Sequence, residues 1–167
     1  MKTVKNIALT WVLPLVVCAV IGFAILKFVI FFPRVTGSSM ADTYHDGEVV
    51  ACVRPLFYGT LKRGDVVIVE SDRGQLIKRI IALPGETVQI KDGAIFVNGE
   101  ALSEEFEAAP IEDAGIASEE ITLEEGEFFV LGDNRNHSVD SRIIGLFESR
   151  YITGKMIHSR DIVPVSE

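Results

Sequence analysis

Residues 86–102, ETVQIKDGAIFVNGEAL, carry the strongest indication of fold in the chain. Two short runs of alternating apolar and polar residues lie on either side of Asp92-Gly93, and Asn98-Gly99 follows the second run. Asp-Gly and Asn-Gly supply the positive φ angles that a two-residue hairpin turn requires. The stretch therefore predicts two consecutive β-hairpins, one at each dipeptide.

The chain after residue 35 extends the same pattern. Short apolar runs at residues 48–53, 66–69 and 128–131 are separated by Gly, Pro and Asp, without a sustained helical period. Strands do not alternate with helices, which disfavours a parallel doubly wound sheet. We therefore predict a mostly β fold built from antiparallel strands and hairpins.

The N-terminal part has a different character. Residues 7–26 contain no charged side chain, and a helix of this length would span about 30 Å, the thickness of a bilayer core. The run is too long for a cleaved signal peptide and lacks a small-x-small cleavage site. We predict a single transmembrane helix within a cytoplasmic stub and membrane anchor, residues 1–34, followed by an extracytoplasmic catalytic domain, residues 35–167. The flanking positive charges are nearly balanced and give this orientation only a slight preference.

Charge distinguishes these two parts. Residues 1–34 carry four basic and no acidic side chains, whereas residues 35–167 carry 12 basic and 24 acidic ones. An acidic domain lacks the basic footprint that nucleic acid requires, so we exclude nucleic acid as a partner. Nine acidic residues lie within residues 103–125, which we predict to be a solvated loop or small insertion rather than a metal site. The two cysteines have neither a disulfide framework nor metal-ligand spacing.

Residues 75–85, QLIKRIIALPG, place two cations inside an apolar run. In a strand, Lys78 shares its face with Leu76, Ile80 and Ala82, where an ammonium group is costly to bury. Burial lowers the pKa of a lysine and so provides a neutral amine that can act as a general base. Strand alternation leaves a second interpretation open, in which Lys78 lies at a sheet edge and extends its ammonium into water.

Two further polar stretches could complete a catalytic site. Residues 37–40, GSSM, supply serines soon after the predicted anchor, and residues 132–142, GDNRNHSVDSR, follow a predicted strand. A serine becomes a strong nucleophile only when a base accepts its proton. The three histidines have no evident orienting partner, whereas Lys78 could serve in a Ser-Lys dyad. Arg79 cannot act as a base, and we interpret it as a structural cation whose acidic partner is unassigned.

Taken in order, these stretches resemble bacterial type I signal peptidases over nearly the whole chain. GSSM at 37–40 resembles the family's nucleophile box, RGDVVIV at 63–69 its core strand, IKRIIALPGE at 77–86 its lysine box and GDNRNHSVDSR at 132–142 its last box. Four boxes in order are far more specific than any one of them. The resemblance implies a β-rich signal-peptidase-like catalytic domain that works as a serine endopeptidase, with Ser39 as nucleophile, Lys78 as general base, and no cofactor or metal.

The resemblance also implies roles for residues of the last box. Ser138 matches a serine that hydrogen-bonds the catalytic lysine and holds it in place. Asp140 and Arg142 match an ion pair beneath the site. Asp133 and Arg135 are expected to belong to the scaffold.

The nucleophile box contains two departures from the family. Gly37 and Met40 fall in the oxyanion and substrate-binding region, but Gly37 replaces a serine that completes the oxyanion hole in some members. A backbone group or water would then assist the Ser39 N–H, or the hole would be weaker. Asp42 stands where the family usually has proline, and its charge would raise the pKa of Lys78 if it pointed inward.

Substrates and partners follow from the same resemblance. The family removes signal peptides at small-x-small sites of secretory preproteins, on the outer face of the cell membrane, which makes lipid and the secretion translocase expected partners. A single span and a short insertion resemble the compact Gram-positive form. One alternative is a specialised or non-proteolytic homologue that assists assembly of surface structures such as pili. A self-cleaving repressor-type protease is disfavoured by the anchor and the lack of a DNA-binding segment.

Overall fold

The computed structural model describes residues 11–104 and 108–157. Helix α1, Leu13–Val29, has a proline in its first turn, where a missing N–H leaves no helical hydrogen bond unmade. The first four residues of the predicted transmembrane run, 7–10, lie outside the described residues. Within the described residues, no helix is long and apolar enough to cross a membrane.

Most of the remaining described chain forms short strands. The strands are β1 Ile30–Phe31, β2 Cys52–Val53, β3 Val66–Ser71, β4 Gly74–Ala82, β5 Thr87–Lys91, β6 Ala94–Val97, β7 Glu100–Ala101, β8 Ile121–Thr122, β9 Glu127–Leu131, β10 Phe147–Glu148 and β11 Ile152–Met156. A short helix α2, Ser141–Ile144, follows β9. The predicted strand at 48–53 is shorter than expected, since only its last two residues form β2 and Val49 makes an isolated bridge with Arg34.

The strands form two antiparallel sheets. The larger sheet has the order β1-β2-β11-β3-β4-β9-β10, and the smaller has the order β7-β6-β5-β8. Each described strand pairing is antiparallel, which confirms the predicted mostly β fold. Apolar side chains from both sheets share one core cluster, so the sheets pack against each other.

Both predicted hairpins are confirmed. Asp92 and Gly93, with φ angles of 53° and 78°, connect β5 to β6, and Asn98 and Gly99, with the same two angles, connect β6 to β7. Positive φ at both central residues is what a type I′ turn requires, and this turn matches the twist of the flanking strands.

Strand β4 lies in the interior of the larger sheet, between β3 and β9. Its register pairs Lys78 with Val67 of β3 and Arg79 with Leu131 of β9. Lys78 is only 1% exposed. The alternative in which this lysine reaches water from a sheet edge is therefore wrong.

The predicted faces of β4 hold over only part of the strand. Leu76 and Ile80 pack in the same apolar cluster, as strict alternation requires. The pairing with β9 shifts register between Ile80 and Ala82, and Ala82 packs instead in the core between the sheets. The predicted common face of Lys78 and Ala82 is interrupted because this irregularity turns the end of the strand.

The acidic segment, residues 103–125, is not simply a solvated loop. Its residues 105–107 lie outside the described residues. Ile111, Ala117 and Leu123 are 7%, 0% and 1% exposed and belong to the core between the sheets. Six of the seven described acidic residues of the segment are exposed, but its average polarity did not reveal these three buried apolar side chains.

Candidate active site

Ser39 lies in a loop between the two short strands at the edge of the larger sheet. The turn that follows it is closed by the N–H groups of Thr43 and Tyr44, which both donate to the carbonyl of Met40. The Met40 side chain is 1% exposed and packs in the core with Val66 and other residues of the larger sheet. Burial of this side chain fixes the loop directly after Ser39 and leaves the serine itself half-buried.

Lys78 reaches this loop from the middle of β4. Its Nζ lies 2.7 Å from Ser39 Oγ, which is hydrogen-bond distance. The sequence-predicted pair is therefore in direct contact, although 39 positions separate the two residues along the chain.

Burial lowers the pKa of Lys78 from 10.5 to about 8. The charges of Asp140 and Asp133 act in the opposite direction and raise the pKa of the lysine, while Arg142 lowers it further. Loss of hydration is the largest of these effects, since an ammonium group is disfavoured where water is excluded. Near pH 8 a substantial fraction of Lys78 is consequently neutral and able to accept a proton.

The polar loop after β9 contacts the nucleophile loop directly. The Asn134 N–H donates to the Ser39 carbonyl at 3.1 Å, and its side-chain Nδ2 donates to the Ser38 carbonyl at 3.0 Å. The Asp133 N–H donates to Met40 Sδ at 3.4 Å. Since Asp133 directly follows Gly132 at the end of β9, these bonds tie the loop of Ser39 to the strand beside β4.

Asp133 is the acidic partner of Arg79 that the sequence left unassigned. Arg79 Nε and Nη2 lie 2.8 and 2.6 Å from its two carboxylate oxygens. Thr43 Oγ1 donates to Asp133 Oδ2 at 2.5 Å, so the same carboxylate also holds the nucleophile loop. The contact of Thr43 with Asp133 could not be predicted from the sequence, because a threonine in a loop carries no signal of its distant partner.

The predicted ion pair between Asp140 and Arg142 is present. Arg142 Nε and Nη2 lie 2.9 Å from Asp140 Oδ1 and Oδ2, and both residues are buried. Asp140 Oδ2 also accepts from the Gly132 N–H at 3.1 Å. The pair thereby fixes the start of the polar loop against α2.

Ser138 does not make its predicted hydrogen bond to Lys78. Its Oγ is buried and has no hydrogen-bond partner among the described residues. The hydroxyl lies instead against the α-carbon of Gly132, where the Ser39 carbonyl also approaches.

The two residues predicted for the oxyanion and substrate-binding region, Gly37 and Met40, make other contacts in this structure. The Gly37 N–H donates to Asp46 Oδ1 at 2.8 Å, so it is not directed at a substrate oxyanion. The Met40 side chain belongs to the core and is inaccessible to substrate. Asp42 is exposed, and the acidic charges that act on Lys78 are those of Asp140 and Asp133.

Arg135 links the polar loop to the acidic segment. Its Nη2 lies 2.6 Å from Glu104 Oε1, and its carbonyl accepts from Arg142 Nη2 at 2.5 Å. Arg142 Nη1 also donates to the Asp113 carbonyl at 3.1 Å. The acidic segment therefore holds the polar loop through Arg135 and Arg142. This role could not be predicted from the sequence, because both contacts cross long intervals of chain.

Neither of the two described histidines, His45 and His137, has a hydrogen bond to Ser39. His45 and His137 are exposed, and the described contact of the His137 ring is with Asn134 Oδ1, 3.2 Å from Nδ1. His158 lies outside the described residues. Across the part of the chain that the structure describes, no cluster of three or more His, Cys, Asp or Glu side chains could hold a metal ion.

A half-buried serine hydroxyl beside a buried amine of lowered pKa has the geometry of a serine hydrolase that uses lysine as its base.

The family model described as "Signal peptidase, peptidase S26" matches residues 8–159. The chain is 35% identical over 161 residues to a signal peptidase I from Bacillus licheniformis, across 90% of this chain and 87% of that protein. It is 32% identical over 172 residues to signal peptidase IB of Staphylococcus aureus strain N315, across 91% and 88% of the two chains.

The crystal structure of a signal peptidase I from Enterococcus faecalis V583 is also similar, with 30% sequence identity and a TM-score of 0.48, over 59% of this chain and 97% of that one. From the sequence matches, the chain belongs to the signal peptidase S26 family, and it is a peptidase of the signal peptidase I type. The family predicted from the four sequence boxes is confirmed. The relatives support a peptidase over the non-proteolytic alternative.

Proposed function

We propose that this peptidase removes signal peptides from secreted preproteins and that Ser39 and Lys78 form its catalytic dyad. The observation that carries the dyad is the 2.7 Å contact between Lys78 Nζ and Ser39 Oγ, made by a lysine that is 1% exposed. Burial that lowers the pKa of Lys78 to about 8 supports its role as base. The names of the bacterial relatives support signal peptides as the substrate class.

The reaction then proceeds by acyl transfer. Neutral Lys78 accepts the proton of Ser39 as Oγ attacks the scissile carbonyl, which forms a tetrahedral oxyanion. When that intermediate collapses, the Lys78 ammonium returns the proton to the leaving amine, and the signal peptide remains as an ester on Ser39. Lys78 next takes a proton from water, whose oxygen attacks the ester and releases the carboxylic acid product while Ser39 recovers its proton.

The oxyanion requires hydrogen-bond donors near Ser39. Among the described residues, the Ser39 N–H has no hydrogen-bond acceptor, which leaves it available to a substrate oxygen. Since the Gly37 N–H is engaged by Asp46, the second donor is a group other than this glycine. We propose the Ser39 N–H as one donor of the hole.

We also propose that the N-terminal segment attaches the enzyme to the cell membrane, with the amino terminus cytoplasmic and the catalytic domain outside. The charge-free run at residues 7–26 supports this arrangement, as do the exposed apolar side chains of α1, such as Leu15 and Phe23, which are 70% and 71% exposed. An enzyme held there would meet preproteins as they leave the secretion translocase. Small-x-small sites after an apolar segment are the expected cleavage sites.

The dyad is tested with the purified full chain and a preprotein whose signal peptide ends in Ala-x-Ala. We expect Ser39→Ala and Lys78→Ala to abolish processing, and N-terminal sequencing of the wild-type product to begin directly after that motif. Ser38→Ala is the matched control. It removes the adjacent hydroxyl but keeps the Ser38 carbonyl that Asn134 bonds, so it should process normally. Normal processing by either dyad variant would disprove the mechanism.

Membrane attachment is tested separately. The full chain is expressed in bacteria and the membranes are washed with alkaline carbonate, which removes peripheral proteins. We expect the protein to stay with the lipid and its catalytic domain to be digested by protease added from outside the cell. Release by carbonate, or protection of the domain in intact cells, would contradict the proposed topology.

A further inference from the structure

We propose that Thr43 and Asn134 are positioning residues that hold the loop of Ser39 at reacting distance from Lys78. This inference rests on the proposed Ser39–Lys78 dyad. It assigns a function to two side chains that contact neither the reacting atoms nor the catalytic lysine.

The loop of Ser39 needs external support. Residues 32–51 lie outside both sheets, except for the isolated bridge between Arg34 and Val49, so sheet hydrogen bonds do not fix the serine. Lys78, by contrast, lies within a strand that is paired on both sides. The distance between the two catalytic groups therefore depends on what ties the loop to the sheet.

Thr43 provides the first tie. Its Oγ1 donates to Asp133 Oδ2 at 2.5 Å, a charge-assisted contact with a carboxylate that is fully buried. Arg79, the neighbour of Lys78 in β4, holds the same carboxylate through two nitrogen atoms. The four-residue step from Ser39 to Thr43 is thus connected through one carboxylate to the residue next to the catalytic lysine.

Asn134 provides the second tie, on the other side of the serine. Its Nδ2 donates to the Ser38 carbonyl at 3.0 Å, while its Oδ1 faces His137 Nδ1 at 3.2 Å, which orients the amide. Asn134 lies three residues beyond Leu131, and Leu131 is the register partner of Arg79. Both ties therefore end on the short stretch of chain that is fixed relative to Lys78.

The test uses the full chain in detergent micelles and a synthetic peptide with an Ala-x-Ala signal peptidase site. Removal of a hydrogen bond that positions a nucleophile lowers kcat about ten- to a hundredfold. We expect Thr43→Val and Asn134→Ala to show this loss in kcat with KM unchanged. Thr43→Ser retains the hydroxyl and should recover most of the wild-type kcat.

Two matched controls separate positioning from general loosening of the fold. Thr153→Val removes a hydroxyl whose contact is a long one, 3.5 Å to the Ile68 carbonyl. Asn136→Ala removes an amide that donates to the Pro110 carbonyl and accepts from the Glu112 N–H, both in the acidic segment and not in the loop of Ser39. Both controls should keep the wild-type kcat. The melting temperature of every variant is measured at the same pH.

The position of the pH limb is a further readout, because neither substitution adds or removes a charge near the Lys78 amine. We expect the limb of kcat to stay where it is in the wild type. The proposal is overturned if Thr43→Val keeps the wild-type kcat, if Thr43→Ser is as impaired as Thr43→Val, or if the controls lose as much activity. Ser39→Ala is assayed in parallel: if it remains active, the dyad itself fails, whereas an inactive Ser39→Ala beside a normal Thr43→Val refutes positioning alone.

Discussion

At the scale of single residues, Lys78 is the side chain on which two opposing electrostatic effects meet. Burial disfavours its ammonium form, while the nearby carboxylates of Asp140 and Asp133 favour it. Burial has the larger effect, and the pKa of Lys78 falls to about 8. Each carboxylate has an arginine partner, Arg142 for Asp140 and Arg79 for Asp133, which reduces its influence on the lysine.

The rate of cleavage is expected to rise with pH through a limb near 8, because Lys78 accepts a proton only when it is neutral. Below the limb, kcat/KM should fall about tenfold for each pH unit as the ammonium form takes over. The measurement is a pH-rate profile with the Ala-x-Ala peptide. A limb near the ordinary lysine value of about 10.4 would show that burial does not govern the base.

Asp42→Asn is the control for that profile. The Asp42 side chain is exposed, so removal of its charge should leave the limb in place. A limb that moves to lower pH in this variant would mean that the carboxylate acts on Lys78 after all, as the sequence had allowed.

Gly132→Ala should strongly impair catalysis. A Cβ at this position would overlap Ser138 Oγ and lie 2.5 Å from the Ser39 carbonyl, so the nucleophile loop would have to move. Displacement of a catalytic group by about 1 Å costs about 10²-fold in rate, and overpacking costs about 1–3 kcal/mol of stability. Steady-state kinetics and thermal unfolding measure the two effects.

Gly154→Ala separates these two effects. Its Cβ would lie 2.7 Å from Cζ of Phe31 in β1, and its nearest contacts include neither Ser39 nor Ser138. We expect a lower melting temperature and a normal kcat. A loss of kcat in Gly154→Ala equal to that in Gly132→Ala would attribute both losses to general destabilisation.

At the scale of elements, the sequence predicts what depends on neighbouring residues. The hairpin at Asp92-Gly93 follows from φ preferences within four residues, and the alternation of β4 places Lys78 on an apolar face without any knowledge of its partners. The register shift after Ile80 depends on pairing with β9, so alternation alone cannot reveal it. The buried apolar side chains within residues 103–125 escape prediction for a related reason, since average polarity conceals which side chains turn inward.

Leu123→Ala should destabilise the protein by about 2–5 kcal/mol, the usual cost of removing a fully buried leucine side chain. Leu123 is 1% exposed and packs between the sheets although acidic residues surround it in sequence. Denaturant unfolding provides the measurement. Ile116→Ala in the same segment is the control, because Ile116 is 44% exposed, and its effect should stay within about 0.5 kcal/mol. If Leu123→Ala lowered the free energy of unfolding as little as Ile116→Ala, the segment would be a solvated loop.

At the scale of the whole molecule, the site draws on three distant parts of the chain: the loop of Ser39, strand β4, and the loop that follows β9. Sequence order could identify these parts, since each resembles one box of the family. It could not identify the contacts between them, such as Thr43 with Asp133 or Arg135 with Glu104, because a hydrogen bond across a long interval leaves no local pattern. The sequence boxes therefore identify the catalytic side chains, while only the folded structure gives the distances between them.

The buried lysine also reduces the stability of the fold. Because its pKa is about 8 when folded and 10.5 when unfolded, the unfolded chain binds more protons between these values, and stability rises with pH across that window. Below pH 8, burial of the Lys78 ammonium lowers the free energy of unfolding by its full amount, roughly 3 kcal/mol for a pKa shift of this size.

Lys78→Met fills a similar volume without a charge, so the variant should be inactive but more stable than the wild type by roughly 3 kcal/mol at pH 7. The gain should shrink as pH rises from 8 and vanish above about 10.5, where the unfolded lysine is neutral as well. Denaturant unfolding at several pH values measures it. Lys155→Met is the control, because that lysine is paired with Asp65 at 2.9 Å, and we expect no gain in stability from its removal. A Lys78→Met variant that is no more stable than the wild type at pH 7 would show that the fold does not oppose the ammonium form of this lysine.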